Sequence, residues 1–397
     1  MHNALTRGQD RAVAEIGSMI RGHAPHAVLL VGPESVGKTT LAMDLAAGLL
    51  CQSDDPDARP CRECRSCRML ASGNHPDLHR LTPEGPGGQV RIGSQKDPDP
   101  GTVRHLIGEV ALLSVEGGAR VAIVEQAHRL NDDAQNALLK LLEEPPSGVT
   151  MILCADDEEC LLPTVRSRCV RLRLGAVPIR QIEEWLSGQG IVAPPEAARL
   201  ARLSAGRPGL ALAYARSDDA ERLRGEIART LLDMLTAGRQ RRLGLVRDLL
   251  KSSVALEEAL ATGRNAGKPP AAETPRTRGK RKSAVETEAD SSGEAAETPA
   301  DTGKVSAAAR RAGAATLMRI WAEVGRDVIV AGSGAPRQLR EVELLDEIRA
   351  IGPKVAPASM AAFLARISEV EPMLDQNVNS ELALDVLALA WPHVDAR

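Results

Sequence analysis

One short stretch constrains the fold of this chain more than any other. The apolar residues 28–31 lead directly into GPESVGKTT at positions 32–40, which has the Gly-x4-Gly-Lys-Thr spacing of a phosphate-binding loop, or P-loop. Leucines follow at the four-residue spacing of one helix face; they are Leu41, Leu45 and Leu49. The pattern predicts a buried strand, a glycine-bounded loop and a helix N-terminus, an order of elements typical of α/β folds with a parallel sheet.

A P-loop binds the phosphates of a nucleotide through its backbone N–H groups and the adjoining helix N-terminus. We predict that Lys38 contacts the β- and γ-phosphates of ATP and that Thr39 holds Mg²⁺. The predicted nucleotide-binding residues are Gly32, Pro33, Glu34, Ser35, Val36, Gly37, Lys38, Thr39 and Thr40. The alternative is a glycine-rich turn that joins a strand to a helix and binds nothing.

Composition narrows the class of protein. With 397 residues, the chain is long enough for two or three domains. The net charge of −3 and the isoelectric point near 6.3 argue against a protein that coats nucleic acid by charge alone. Three tryptophans, one tyrosine and one phenylalanine are too few for the stacking platform of a single-strand binder. The first residues are too polar for a signal peptide, and no apolar run reaches about 18 residues, so we expect a cytoplasmic protein.

Four of the seven cysteines are clustered after the P-loop helix. Their spacing is C-x9-C-x2-C-x2-C, formed by Cys51, Cys61, Cys64 and Cys67. Four thiolates at this spacing can close a tetrahedral shell around Zn²⁺, which predicts a structural zinc module at 51–67. An iron–sulfur cluster and redox-active thiols are the alternatives, although Ala71 stands where a ferredoxin run would place its fourth cysteine.

A second apolar run, residues 121–124, is typical of a strand covered on both faces, and it ends at Glu125. In P-loop ATPases an acidic residue at the end of such a strand helps to hold Mg²⁺, so Glu125 joins the predicted nucleotide site. In many of these enzymes the next residue is a glutamate that polarises the attacking water. Here it is Gln126, whose neutral amide can orient water but cannot accept its proton.

Four features together resemble the bacterial clamp-loader branch of the AAA+ ATPases. They are GPESVGKTT, the four cysteines, NDDAQNALLKLLEEPP at 131–146 and SRC at 167–169. Within that branch the chain looks like the delta-prime type of DNA polymerase III subunit, over roughly the first 215 residues. The resemblance implies a hetero-oligomer, expected to be a pentamer with motor gamma/tau and delta subunits, that uses ATP to place a sliding clamp on primer–template DNA.

The resemblance also implies a role for Arg168, the arginine of the SRC motif. In the family this arginine enters a neighbouring subunit's nucleotide site as an arginine finger. A planar, permanently charged guanidinium suits that task because it can spread over phosphate oxygens as charge develops. The alternative for Arg168 is a surface ion pair worth less than about 1 kcal/mol.

Three departures from the ATPase members of the family favour weak or absent ATP hydrolysis by this chain. Gln126 replaces the catalytic glutamate, Gly209 stands at the position of the lid-helix arginine, and the stretch that senses the γ-phosphate reads Cys154-Ala155-Asp156. These residues favour the finger-donating delta-prime type. The intact P-loop keeps open the alternative, a gamma/tau-type motor subunit that itself hydrolyses ATP.

Helical patterns dominate after residue 173. We predict an AAA+ P-loop domain with a parallel sheet and the inserted zinc module (1–175), a small helical lid (176–217) and an all-α collar domain (218–260 and 317–397). Residues 261–316 contain no Leu, Ile, Met or aromatic residue, which predicts a disordered linker. Its basic run at 276–282 could contact DNA phosphates, although a solvated linker is the favoured interpretation.

Overall fold

The computed structural model describes residues 3–22, 24–83, 90–96, 98–116, 118–266, 306–335, 339–341, 343–374 and 378–394. Within these ranges, no helix is long and apolar enough to cross a membrane. The basic run at 276–282 lies outside the described residues, so its predicted solvation or DNA contact stays a prediction.

A parallel five-stranded sheet forms the N-terminal part of the molecule, with strand order β2-β3-β4-β1-β5. Its strands are β1 (Ala27–Val31), β2 (Leu78–Leu81), β3 (Arg120–Val124), β4 (Val149–Ala155) and β5 (Val170–Arg173). Val31, the last residue of β1, pairs with Ala155 at the end of β4 and with Arg173 at the end of β5. The carboxyl ends of these strands therefore meet at one edge of the sheet, and the predicted parallel α/β architecture is confirmed.

Helices cover both faces of this sheet. They are α1 (Asp10–Arg21), α2 (Lys38–Leu50), α3 (Arg65–Ala71), α4 (Val103–Ala111), α5 (Asp132–Glu143) and α6 (Pro163–Arg166). Successive residues of β1 point to opposite faces: Ala27 and Leu29 pack with residues of α4 and α5, whereas Val28 and Leu30 pack with residues of α1 and α2. Burial on both sides explains why β1 is a continuous apolar run.

The C-terminal region is helical. Its helices are α7 (Ile179–Gly188), α8 (Pro194–Leu203), α9 (Pro208–Ala215), α10 (Asp218–Asp233), α11 (Arg239–Asn265), α12 (Ala307–Gly332), α13 (Leu345–Ile351), α14 (Pro357–Val370) and α15 (Ser380–Ala390). Their buried apolar side chains form one cluster that runs from Val177 to Val394. Three of the few aromatic rings meet within it, since the ring centroids of Trp321, Phe363 and Trp391 are 4.6 to 5.7 Å apart. The division into lid and collar stays a prediction.

The predicted linker was too long at both ends. Because α11 continues to Asn265 and α12 begins at Ala307, residues 261–265 and 307–316 are helical. Ala314 is fully buried, and a Cβ on Gly263 would lie 2.4 Å from the carbonyl oxygen of Ala213. The linker was predicted from the lack of large apolar side chains at 261–316. Small residues such as alanine and glycine also allow helices to pack closely, and that prediction did not take them into account. Residues 267–305 lie outside the described part of the chain.

Candidate functional site

The P-loop joins the carboxyl end of β1 to the N-terminus of α2. A Cβ on Gly32 would lie 2.4 Å from the carbonyl oxygen of Leu174, so no larger residue fits there. Gly37 caps α2 with φ +113°, a conformation that favours glycine. Thr39 and Thr40 lie in the first turn of α2. The predicted phosphate-binding residues are therefore gathered at one helix N-terminus.

Protein groups already engage Lys38, the predicted phosphate ligand. Its Nζ donates hydrogen bonds to the carbonyl oxygens of Gly32, at 2.6 Å, and Pro33, at 2.7 Å. It also forms an ion pair with Oδ1 of Asp156 at 2.6 Å, and its side chain is only 9% exposed. Since an ammonium group has three N–H donors, these three acceptors are enough to use all of them.

Asp156 follows β4, and it lies beside the P-loop because β4 pairs with β1. A histidine contacts it on the other side: the N–H of Asp156 donates to Nδ1 of His128 at 3.1 Å, and Nε2 of His128 is 3.7 Å from Oδ2 of Asp156. Because Nδ1 accepts a hydrogen bond, a neutral ring carries its proton on Nε2, facing the carboxylate. The stretch that was expected to sense the γ-phosphate thus contributes a carboxylate to Lys38.

Glu125, the predicted Mg²⁺ ligand, ends up next to an arginine of the neighbouring strand. Its Oε1 accepts a hydrogen bond from Nε of Arg80 at 3.0 Å, and Nη2 of Arg80 contacts the same oxygen. Gln126, the next residue, has φ +53° and begins the turn after β3. Pairing with Arg80 reduces the negative charge that Glu125 offers to a metal ion.

The tip of the P-loop contacts the C-terminal helices. The two carboxylate oxygens of Glu34 lie 2.8 Å from Nη1 of Arg264 in α11 and 2.8 Å from Nη1 of Arg319 in α12. Burial raises the pKa of Glu34, but the two guanidinium groups outweigh burial and lower the pKa to about 2. The N–H of Gly209, at the start of α9, donates to the carbonyl oxygen of Ser35 at 2.9 Å.

Glycine at position 209 permits that close approach, because a Cβ there would lie 3.0 Å from the carbonyl oxygen of Ser35. The nearest arginine, Arg207, is engaged elsewhere. Its Nη2 is 2.6 Å from Oε1 of Glu323, which also pairs with Nη2 of Arg224 at 2.9 Å. Arg207 therefore belongs to a buried ion network of the C-terminal helices.

The four clustered cysteines come together in space. Their sulfur atoms all lie within 4.8 Å of one another, and all four are free thiols. The Sγ atoms of Cys51 and Cys61 are 3.5 Å apart, those of Cys51 and Cys64 are 4.0 Å apart, and those of Cys61 and Cys67 are 4.0 Å apart. Tetrahedral Zn²⁺ with Zn–S bonds of about 2.3 Å separates its sulfur ligands by about 3.8 Å. The donor set therefore fits a metal ion of this kind.

Backbone N–H groups point at the same sulfur atoms. The N–H of Cys64 is 3.3 Å from Sγ of Cys61, and the N–H of Cys67 is 3.4 Å from Sγ of Cys64. Backbone donation from Glu63 and Cys64 lowers the pKa of Cys61 to about 6, whereas burial raises the pKa of Cys51. N–H groups that stabilise thiolates are expected around a metal-binding cysteine cluster.

Arg168 lies in the turn between α6 and β5. Its Nη2 is 2.6 Å from Oε1 of Glu143 at the end of α5, and its Nη1 donates to the carbonyl oxygen of Thr164 at 2.8 Å. The side chains of Arg168 and Glu143 are 34% and 49% exposed. Because exposed ion pairs of this kind are weak, the guanidinium can exchange its carboxylate for a more highly charged anion.

Known proteins match the part of the chain that holds all three features. Residues 8–178 match the model of a protein family described as "DNA polymerase III, delta subunit". This segment is similar to that family. A DNA polymerase III subunit delta' of Pseudomonas aeruginosa is 38% identical over 189 residues, which make up 47% of this chain and 55% of that protein. A DNA polymerase III subunit tau of Escherichia coli is 32% identical over 198 residues, 49% of this chain and 29% of that protein.

The chain thus spans about half the length of the delta' relatives that it matches. A solved DNA polymerase III gamma subunit-related protein of Thermotoga maritima aligns over 96% of this chain and 98% of its own, with a TM-score of 0.38 and 16% identity. The resemblance that the motifs predicted is confirmed for the segment that contains them.

Sequence reasoning noted Asp156 only as a departure from the family and missed its contact with Lys38. A usable signal was present, because Asp156 directly follows an apolar strand, just as Glu125 does. In a parallel sheet the carboxyl ends of neighbouring strands meet at one edge, so an acidic residue there is a candidate partner for the P-loop lysine. No comparable pattern in the sequence indicates the ion pairs of Glu34 with Arg264 and Arg319.

Proposed function

We propose that this chain is a delta-prime-type subunit of a DNA polymerase III clamp loader, taking part in ATP-driven loading of the sliding clamp onto primer–template DNA. The family match over residues 8–178 supports this proposal. The proposed partners are motor gamma/tau subunits and a delta subunit in a cytoplasmic hetero-oligomer, a pentamer, which meets the clamp and DNA as a complex. The proposed domains are 1–175 for the AAA+ P-loop domain, 176–217 for the lid, and the later helices for the collar.

The observation that carries the proposal is the position of Arg168. Its guanidinium is held at the surface by one exposed carboxylate and one carbonyl oxygen, in a turn where a neighbouring subunit can reach it. In our proposal it enters the neighbour's nucleotide site and stabilises the charge that develops on the transferred phosphoryl group.

The chain's own P-loop is proposed to bind ATP and Mg²⁺ but to hydrolyse ATP weakly or not at all. Gly32 to Thr40 retain the loop and helix N-terminus that a nucleotide needs. Hydrolysis needs a base for the attacking water, and Gln126 cannot accept a proton. The carboxylate of Glu125, which could assist with the metal ion, is shared with Arg80.

We further propose that the metal of the cysteine cluster is structural Zn²⁺, held by Cys51, Cys61, Cys64 and Cys67. Four thiolate ligands leave no open position for a substrate, so the metal would act by holding the chain together. It would fasten the N-terminus of α3 to the end of α2, because Cys64 caps α3 and Cys51 caps α2.

The experiment that tests the finger is Arg168→Ala in a complex reconstituted with the motor and delta subunits. Losing a finger costs about 10³-fold or more at the site that it serves, but other sites retain theirs. We therefore expect the ATPase activity of the whole complex to fall by about the share that the served site contributes, with assembly intact. Arg171→Ala, which removes a 49% exposed arginine from β5, is the matched control and should have no effect. Unchanged clamp loading by Arg168→Ala would contradict the proposal.

A gamma/tau-type motor is the second candidate function. The intact P-loop and the 32% identity to a tau subunit favour it. It differs in its expected chemistry, because a motor subunit hydrolyses ATP at its own P-loop. The identity of Gln126 and the pairing of Glu125 with Arg80 favour the delta-prime type.

A further inference from the structure

We propose that Asp156 sets the nucleotide affinity of this chain, because its carboxylate forms an ion pair with Lys38 that a binding phosphate must displace. The inference rests on the proposed nucleotide site and deepens it. Asp156 is a positioning residue in this account, since it acts through Lys38 and takes no part in a reaction.

The first argument is the hydrogen-bonding capacity of Lys38. Its three N–H donors have three acceptors within 2.7 Å, namely the carbonyl oxygens of Gly32 and Pro33 and Oδ1 of Asp156. Of these acceptors only the carboxylate is charged, so it is the one that most resembles a phosphate oxygen. A nucleotide phosphate that binds Lys38 has to replace at least one of them.

The second argument is that Asp156 is held in place. The end of β4 is fixed beside the P-loop by the pairing of Ala155 with Val31 and by the hydrogen bond from the N–H of Gly32 to the carbonyl oxygen of Ala155, 3.2 Å long. The backbone N–H of Asp156 is bound to Nδ1 of His128, and Oδ2 faces Nε2 of the same ring. The carboxylate therefore remains near the loop when a ligand displaces it from Lys38.

The third argument is electrostatic. A bound triphosphate would bring several negative charges next to a carboxylate that is only one-third exposed. The like charges disfavour nucleotide binding, in addition to the ion pair that binding breaks. A neutral amide of the same shape removes the repulsion, weakens the ion pair with Lys38 to a neutral hydrogen bond, and leaves the strand pairing intact.

The variant Asp156→Asn tests this role. The purified full chain, with and without the substitution, is titrated with Mg-ATP in a calorimeter. A charge-assisted hydrogen bond contributes enough to change a dissociation constant by about ten-fold or more, so we expect Asp156→Asn to bind ATP at least about ten-fold more tightly than the unaltered chain. A fold that was merely damaged would bind more weakly, so tighter binding separates this role from a structural one.

Asp157→Asn is the matched control, because Asp157 is exposed, carries the same charge and caps the next turn through the N–H of Glu159. Its ATP affinity should equal that of the unaltered chain. The double variant Lys38→Ala with Asp156→Asn should not bind ATP more tightly than the unaltered chain, because the increase in affinity requires Lys38.

Two outcomes would overturn the inference. One is an Asp156→Asn variant that folds normally and binds ATP no more tightly than the unaltered chain. The other is the absence of ATP binding in both proteins, which would also remove the nucleotide site from the proposed function. That second result would leave the arginine-finger role of Arg168 standing, because a finger acts on the ATP of a neighbour.

Discussion

The cysteine cluster and the P-loop both have the residues to hold a ligand, but the protein satisfies their side chains in different ways. In the cluster, the four thiols contact one another and backbone N–H groups, and their sulfur atoms lie within 4.8 Å of each other. In the P-loop, Lys38 is surrounded by two carbonyl oxygens and the carboxylate of Asp156. The cluster has a donor set that fits a metal ion, whereas the loop lysine has acceptors supplied by the protein itself.

This difference shows that a ligand-binding motif does not by itself reveal whether its side chains need the ligand or are already satisfied by other protein groups. Thiolates packed together repel one another unless a cation joins them, so four ionised cysteines at this spacing would need a metal ion. A P-loop lysine can be neutralised from within the protein, and here it is. Contacts of Glu34 with Arg264 and Arg319 add a structural role, since they bind the loop to the C-terminal helices.

The largest expected effect is that of Cys64→Ser. Removing one of four ligands should release the metal ion and destabilise the region around α3, with a loss of about 3 kcal/mol or more, because structural zinc contributes its binding free energy to folding. Thermal unfolding and metal content by mass spectrometry check this, with one zinc per unaltered chain expected. Cys160→Ser, an exposed cysteine outside the cluster, is the control. A fully reduced, metal-free native protein would contradict the metal assignment.

The sequence predicts the cysteine cluster better than it predicts the contacts of the P-loop. The apolar runs of β1 and β3 are local patterns, and the structure contains both of them. The cysteine cluster is also local, because its ligands lie close together in the sequence. The partners of Glu34 come from helices about 230 and 285 positions away, so only the folded chain reveals them.

Lys38→Ala should have the next largest effect. It leaves Asp156 without its ion-pair partner and two loop carbonyls without a donor, which should lower the free energy of unfolding by about 1–3 kcal/mol even without nucleotide. Chemical denaturation measures the change. Lys140→Ala, which removes an exposed lysine from α5, should change stability by less than about 0.5 kcal/mol. Equal stability of the two variants would show that the P-loop lysine has no internal structural role.

The smallest expected effect is that of Glu34→Gln, and it should depend on pH. The folded-state pKa of Glu34 is lowered from 4.5 to about 2, so its ion pairs stabilise the fold above about pH 4.5 and stop doing so as the pH falls towards 2. Because the carboxylate is 42% exposed, we expect at most about 1 kcal/mol. The stability difference between the two proteins, measured against pH, should shrink over that interval. A difference that is the same at both ends would rule out the carboxylate charge as its cause.

The central claim is that this chain offers an arginine to a neighbour and contributes little ATP hydrolysis of its own. The most direct measurement is steady-state ATP turnover by the purified chain alone, compared with an isolated motor subunit. Because a positioned general base contributes about 10²-fold or more and Gln126 cannot act as one, the account predicts turnover at least about 100-fold below that of the motor. Turnover by the isolated chain at a rate near that of the motor would contradict the account.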